Sequence, residues 1–126
     1  NLHVLDYCDL LDLLIFSETD KIRNKIYNVG YQNLSIMQIA QIVKTEVLNE
    51  FPDKKEILID VQESNDLRSY HINSDKIYQE LNFKPKKTLE DAIKEVCNAF
   101  KQNKFESPLT NTCYHNVKRM KELNIS

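Results

Sequence analysis

Apolar residues recur along this chain with two different periods, and each period predicts a different kind of element. Near the start, Tyr7, Leu10, Leu11 and Leu14 fall three and four apart and predict a helix over residues 7–17. The short apolar piece Leu2-His3-Val4-Leu5 leads into it. Asp6 stands ahead of the helix as N-cap, with Asp9 three residues on to bond back to the free amides. Residues 18–25 are charged and read as a loop. Ile26-Tyr27-Asn28-Val29-Gly30 reads as a short buried strand closed by a turn. Ser35 and Gln38 then form a capping box ahead of an apolar stripe of Ile36, Ile39, Ala40, Val43 and Val47, and Phe51-Pro52 ends that helix.

The run Glu56-Ile57-Leu58-Ile59-Asp60-Val61 is rich in β-branched residues and predicts a second strand. Asn73 or Ser74 caps a shorter helix carrying Ile77, Tyr78 and Leu81, which stops before Pro85. Thr88 with Asp91 opens a longer one that places Leu89, Ala92, Ile93, Val96, Cys97 and Phe100 on one face. A polar stretch runs to Thr112, and Tyr114, Val117, Met120 and Leu123 suggest a final amphipathic helix. The order strand, helix, strand, helix, then a helix-rich end implies an α/β fold with two or three short strands. Strands this few make a poor sheet alone, so the segment is expected to complete a sheet begun elsewhere.

Composition narrows the function classes. The 126 residues are 41% hydrophobic and 29% charged with a formal net charge of −2, ordinary values for a globular chain. No charge excess draws it towards nucleic acid or an anionic membrane. The longest apolar run, Leu10 to Phe16, is interrupted by Asp12 and is too short to span a bilayer. No charged stretch with an apolar core opens the chain, so no secretory signal is expected. The first residue is Asn1, from which a processed start or a piece of a longer chain is expected. Cys8, Cys97 and Cys113 are odd in number and widely spaced, which points to a reducing cytoplasm rather than a disulfide framework. Gly30 is the only glycine. Loops that wrap phosphates with backbone N–H groups need several, so a dinucleotide loop, a P-loop and a G-x-S-x-G elbow are all excluded.

Among candidate chemistries, Asp6, Asp9 and Asp12 read as a cap and a solvated face rather than a carboxylate site. His3, His71 and His115 lack ligand spacing, so no metal site is expected. Lys84, Lys86 and Lys87 around Pro85 read as an exposed loop. Tyr114 and Lys118 fit a Tyr-x-x-x-Lys pattern, which on one helix pairs a phenol with an ammonium. The pattern is short enough to arise by chance and lies past every element able to form a pocket. Asp66-Leu67-Arg68-Ser69-Tyr70 is denser: acid, guanidinium, hydroxyl and phenol lie together between a strand and a helix. Arginine's planar fork suits a diphosphate, the aspartate suits a diol, and the tyrosine offers a flat face and a hydroxyl. A local Asp66–Arg68 ion pair explains the same residues equally well.

Taken in order, several pieces resemble one family. Leu2-His3-Val4-Leu5-Asp6, then Tyr27-Asn28-Val29-Gly30 with Ser35, then Asp66-x-Arg68-Ser69-Tyr70, Lys76-Ile77, Leu81-Asn82-Phe83-Lys84-Pro85 and Thr88-Leu89-Glu90 form the series. It is similar to the C-terminal part of NAD-dependent nucleotide-sugar epimerases and dehydratases, the extended short-chain dehydrogenases. The similarity runs to about Phe105. It implies that residues 1–105 form the C-terminal substrate-binding lobe of an extended Rossmann-type enzyme, with 106–126 as a tail. The dinucleotide-binding domain, the NAD it holds and the catalytic residues would lie upstream and outside this chain, so no catalytic or cofactor-binding residue is expected within it.

By the same resemblance the partner is a nucleotide-sugar and the full-length cytoplasmic enzyme is a candidate homodimer. Asp66 would contact the ribose or a nearby polar group, Arg68 would lie near the diphosphate, and Tyr70 would border the nucleotide or sugar pocket. Three positions depart from the family pattern. Glu63 stands where many relatives have an arginine, and Asn65 and Asn82 stand where glycine is common. Asparagine is a reasonable stand-in for glycine there, because it tolerates left-handed backbone. Two other readings share the lobe: a non-catalytic nucleotide-sugar-binding or interaction module, and a sugar-nucleotide reductase.

Overall fold

The computed structural model describes residues 1–54, 56–62 and 71–125. Every regular element among them is helical: α1 (Val4–Phe16), α2 (Thr19–Ile22), α3 (Ile36–Glu50), α4 (Asp75–Leu81), α5 (Leu89–Lys101) and α6 (Asn116–Glu122), with one 3-10 turn at Thr112–Tyr114. The expected α/β architecture with short strands is therefore corrected to an all-helical one. The physical reason lies in what a strand needs. Its backbone groups must pair with a neighbouring strand, and neither run expected to be a strand has such a neighbour among the described residues. Residues 57–61 still alternate in exposure, Ile57 and Ile59 half-buried and Leu58 and Val61 exposed, but among the described residues no ladder joins them to another segment.

The chain divides into two compact units, Asn1–Lys94 and Glu95–Ser126. In the first, α1 begins earlier than its apolar spacing suggests. His3 is the N-cap, its Nδ1 accepting from Leu5 N at 3.1 Å. Asp6, expected to be that cap, instead sits inside the first turn and is 3% exposed. Its two carboxylate oxygens accept from the backbone N–H groups of Lys86 (3.0 Å) and Lys87 (2.9 Å). A buried carboxylate is tolerable when hydrogen-bonded in this way, and the helix start favours its charge. Asp6 thus ties α1 to the loop after α4. Ser17 closes α1 with Oγ donating to Leu13 O at 2.6 Å.

α3 forms as its sequence dictates. Gln38 N donates to Ser35 Oγ (3.2 Å) while Ser35 N donates to Gln38 Oε1 (2.8 Å), so two orphan amides are satisfied reciprocally. α4 ends in a left-handed Asn82 (φ 53°), the conformation a glycine usually supplies at a helix end. α5 opens on Thr88, whose Oγ1 accepts from Asp91 N (3.2 Å) while its N–H donates to Asp91 Oδ2 (2.9 Å).

The core of the first unit is small. Leu10 of α1, Ile77 of α4 and Phe83 of the following loop are buried together, with Leu13, Leu14, Tyr27, Val29 and Leu81 packed against them. In the second unit the rings of Phe100 and Phe105 lie 4.6 Å apart, and Phe105 meets Tyr114 edge-on at 5.5 Å. Thr112 Oγ1 (2.7 Å) and Arg119 (2.8 Å) both donate to Glu122, pinning the 3-10 turn to α6. Among the described residues no helix is long and apolar enough to cross a membrane.

Candidate functional site

The segment expected as a strand, residues 26–30, is held to α4 by side chains instead of a ladder. Lys76 Nζ donates to Ile26 O at 2.9 Å and lies 5.1 Å over the Tyr27 ring. Lys25 Nζ (2.7 Å) and Tyr27 Oη (2.8 Å) both donate to Glu80 Oε2. The hydrogen bond from Lys25, then that from Tyr27, hold the Glu80 carboxyl below its usual value. The Lys25 ammonium is raised by the same bond. The Tyr27 phenol is raised first by partial desolvation and then by its bond to Glu80.

Where this segment turns at Gly30, it approaches the chain ahead of α4. Ser74 occupies the N-cap position of α4 but does not cap it. Its hydroxyl accepts from Gly30 N and donates to Gly30 O, both at 2.9 Å. The Asn73 carboxamide takes over locally, accepting from Asp75 N at 2.7 Å. Three residues past Gly30, Asn33 Nδ2 donates to Ile72 O (3.0 Å) and Asn33 Oδ1 accepts from Ile72 N (3.1 Å). A Cβ added at Gly30 would meet Ile72 Cγ2 at 3.3 Å, which is why the closest approach occurs at the one residue without a side chain.

The two joined segments and the loop after α4 border an open cleft of about 600 Å³. Tyr31 and Asn33, residues 71–75, and Tyr78, Phe83, Lys84 and Pro85 contribute to the lining. Phe83 and Pro85 are buried, whereas Tyr31 and Tyr78 are exposed and offer ring faces and hydroxyls. The amides of Asn33 and Asn73 and the Ser74 hydroxyl are already engaged within the protein. The lining also presents His71, the hydroxyls of Tyr31 and Tyr78, the Lys84 ammonium and the Asp75 carboxylate, whose Oδ2 accepts from Asn73 Nδ2 at 3.0 Å. Flat aromatic faces beside a cation suit a flat, negatively charged molecule.

The expected substrate contacts Asp66, Arg68 and Tyr70 lie outside the described residues. The described chain resumes at His71, itself a lining residue of the cleft. Sequence reasoning missed most of the rest. By sequence Lys84 reads as part of an exposed basic loop, Tyr78 as one residue of a short helix, and Asn33 carries no ligand-binding motif. The available signal is position, since Tyr31, Asn33 and Tyr78 flank pieces of the family-like series and Lys84 lies within one. The Tyr114–Lys118 pattern does not lie on one helix. Tyr114 ends the 3-10 turn, His115 is extended, and Lys118 belongs to α6.

Among the described residues the sole glycine forms no backbone cradle of the kind that holds a nicotinamide dinucleotide. Gly30, the sole glycine, has no positive φ and faces Ile72 rather than an open cradle. Among the described residues no group of three or more His, Cys, Asp or Glu side chains is arranged to hold a metal ion. No family model matches the chain. No solved structure matches it either.

Proposed function

We propose that this chain is the nucleotide-sugar-binding part of an NAD-dependent nucleotide-sugar epimerase or dehydratase, and that it is not catalytic on its own. The observation that carries the reading is the cleft itself. Tyr31, Tyr78 and Lys84 line it beside His71, directly after the Asp66–Tyr70 motif in the chain. In this reading the aromatic faces take the base, Lys84 and Arg68 take the diphosphate, and Asp66 takes the ribose diol. Tyr70 borders the nucleotide or sugar pocket. NAD belongs to residues outside this chain, so no hydride step is assigned to any residue here. Cys8, Cys97 and Cys113 form no disulfide, which accords with a cytoplasmic setting.

The test is calorimetric titration of the chain with uridine- and guanosine-diphosphate sugars, alongside Lys84→Ala and Arg68→Ala. Weak binding that drops in both variants, with no turnover of the sugar, is the expected outcome. Equal affinity in the variants removes both cations from the site. Epimerisation or dehydration by the chain alone contradicts the non-catalytic assignment.

A further inference from the structure

Two side chains in the cleft wall are spent on backbone groups in a way the local structure does not require. A serine at a helix N-cap normally accepts from the amides of the first turn. Ser74 stands at that position in α4, yet its hydroxyl bonds both the N–H and the C=O of Gly30, 44 residues away. Asn33 similarly presents both ends of its carboxamide to the C=O and N–H of Ile72, 39 residues away. Each side chain thereby imitates a neighbouring peptide unit, satisfying a donor and an acceptor together, as a strand neighbour would.

The two links run in opposite senses between the same two segments. One side chain comes from residue 74 and reaches back to 30, the other comes from 33 and reaches forward to 72. All four positions line the cleft, and Tyr31 lies between the two anchored on its side. The bare Cα of Gly30 permits the approach, since a methyl there would press on Ile72 at 3.3 Å.

We infer that Ser74 and Asn33 are positioning residues: a reciprocal clamp that joins the two segments lining the cleft and fixes the shape of that lining, and with it the cleft's affinity for a nucleoside diphosphate. The affinity half of this inference rests on the nucleotide-sugar reading; the geometric half does not. Each side chain has a donor and an acceptor engaged on the other segment, so its role does not depend on touching the ligand. A ligand then meets a lining already in place, and the ordering cost of binding falls.

The test uses the full 126-residue chain with Ser74→Ala, Ser74→Thr and Asn33→Ala. Ser35→Ala serves as the control, since it removes the α3 cap outside the cleft lining. Nuclear magnetic resonance reads the ring signals of Tyr31 and Tyr78, and calorimetry reads the affinity for uridine diphosphate and guanosine diphosphate. The expected result is that Ser74→Ala and Asn33→Ala shift both sets of ring signals and weaken binding several-fold. Ser74→Thr, which keeps the hydroxyl, restores both, and Ser35→Ala moves neither. Ring signals unmoved in the two alanine variants would overturn the clamp. So would shifted rings with undiminished affinity, or rings shifted equally by Ser35→Ala. Failure of the unaltered chain to bind either diphosphate overturns the nucleotide reading and the affinity half with it, while the ring signals still decide whether the clamp fixes the lining.

Discussion

α3 and α4 invert the usual relation between sequence pattern and burial. α3 has fifteen residues, a complete capping box and a clean apolar stripe, yet none of its residues is buried, and Ile36 is 87% exposed. α4 has seven residues and no side-chain bond from its N-cap, yet it carries Ile77, whose side chain is 0% exposed. The difference is one of partners. α4 meets Leu10 and Phe83, and its polar residues Lys76 and Glu80 are tied to residues 25–27. An amphipathic stripe says which face is fit for burial; it does not say that the same chain supplies the covering surface.

The comparison can be broken most directly by truncation. Ile77→Ala should destabilise the chain by about 2–5 kcal/mol, the range for a buried aliphatic cut to alanine. Ile36→Ala in the better-patterned helix should change stability by less than about 0.5 kcal/mol. Urea denaturation of both variants checks this, and similar losses would mean that α3 is covered after all.

The Asp6 latch ranks next. Asp6→Ala leaves the Lys86 and Lys87 amides without their acceptor and should cost about 1–3 kcal/mol. In hydrogen exchange, these two amides should lose protection before those of α3.

The smallest effect is expected at the exposed ties of α4. Glu80 is depressed by its bonds from Lys25 and Tyr27, so its contribution is present above the ordinary glutamate range and is lost as pH falls through the depressed value. Lys25 is raised by Glu80, so its contribution is full below the ordinary lysine value and is lost as pH rises through the raised one. Melting curves of the parent and Glu80→Gln should therefore differ slightly between those limits and converge outside them. Added salt should shrink the gap.

Helices were legible wherever local chemistry decides. Ser35 with Gln38 and Thr88 with Asp91 announced their starts three residues apart, and Asn82 adopts the left-handed backbone for which asparagine is suited. Strands were not legible, because a β-prone run such as residues 26–30 becomes a strand only beside another. Here it is met by Ser74 and Lys76 side chains instead. Asp6 was read as a cap for a similar reason, since its real partners lie 80 and 81 residues away. Of the cleft, only the neighbourhood was visible. The motif at Asp66 to Tyr70 pointed at the chain leading into His71, but the segment at Tyr31 and Asn33 is brought there by long-range side-chain bonds.

The most direct test of the central claim maps where a nucleoside diphosphate lands on this chain. In a titration with uridine diphosphate or guanosine diphosphate followed by amide resonances, the perturbed signals should cluster at Gly30, Tyr31, His71, Ser74 and Lys84. They should leave α6 untouched. Perturbation confined to α6, or no perturbation at millimolar ligand, contradicts the account.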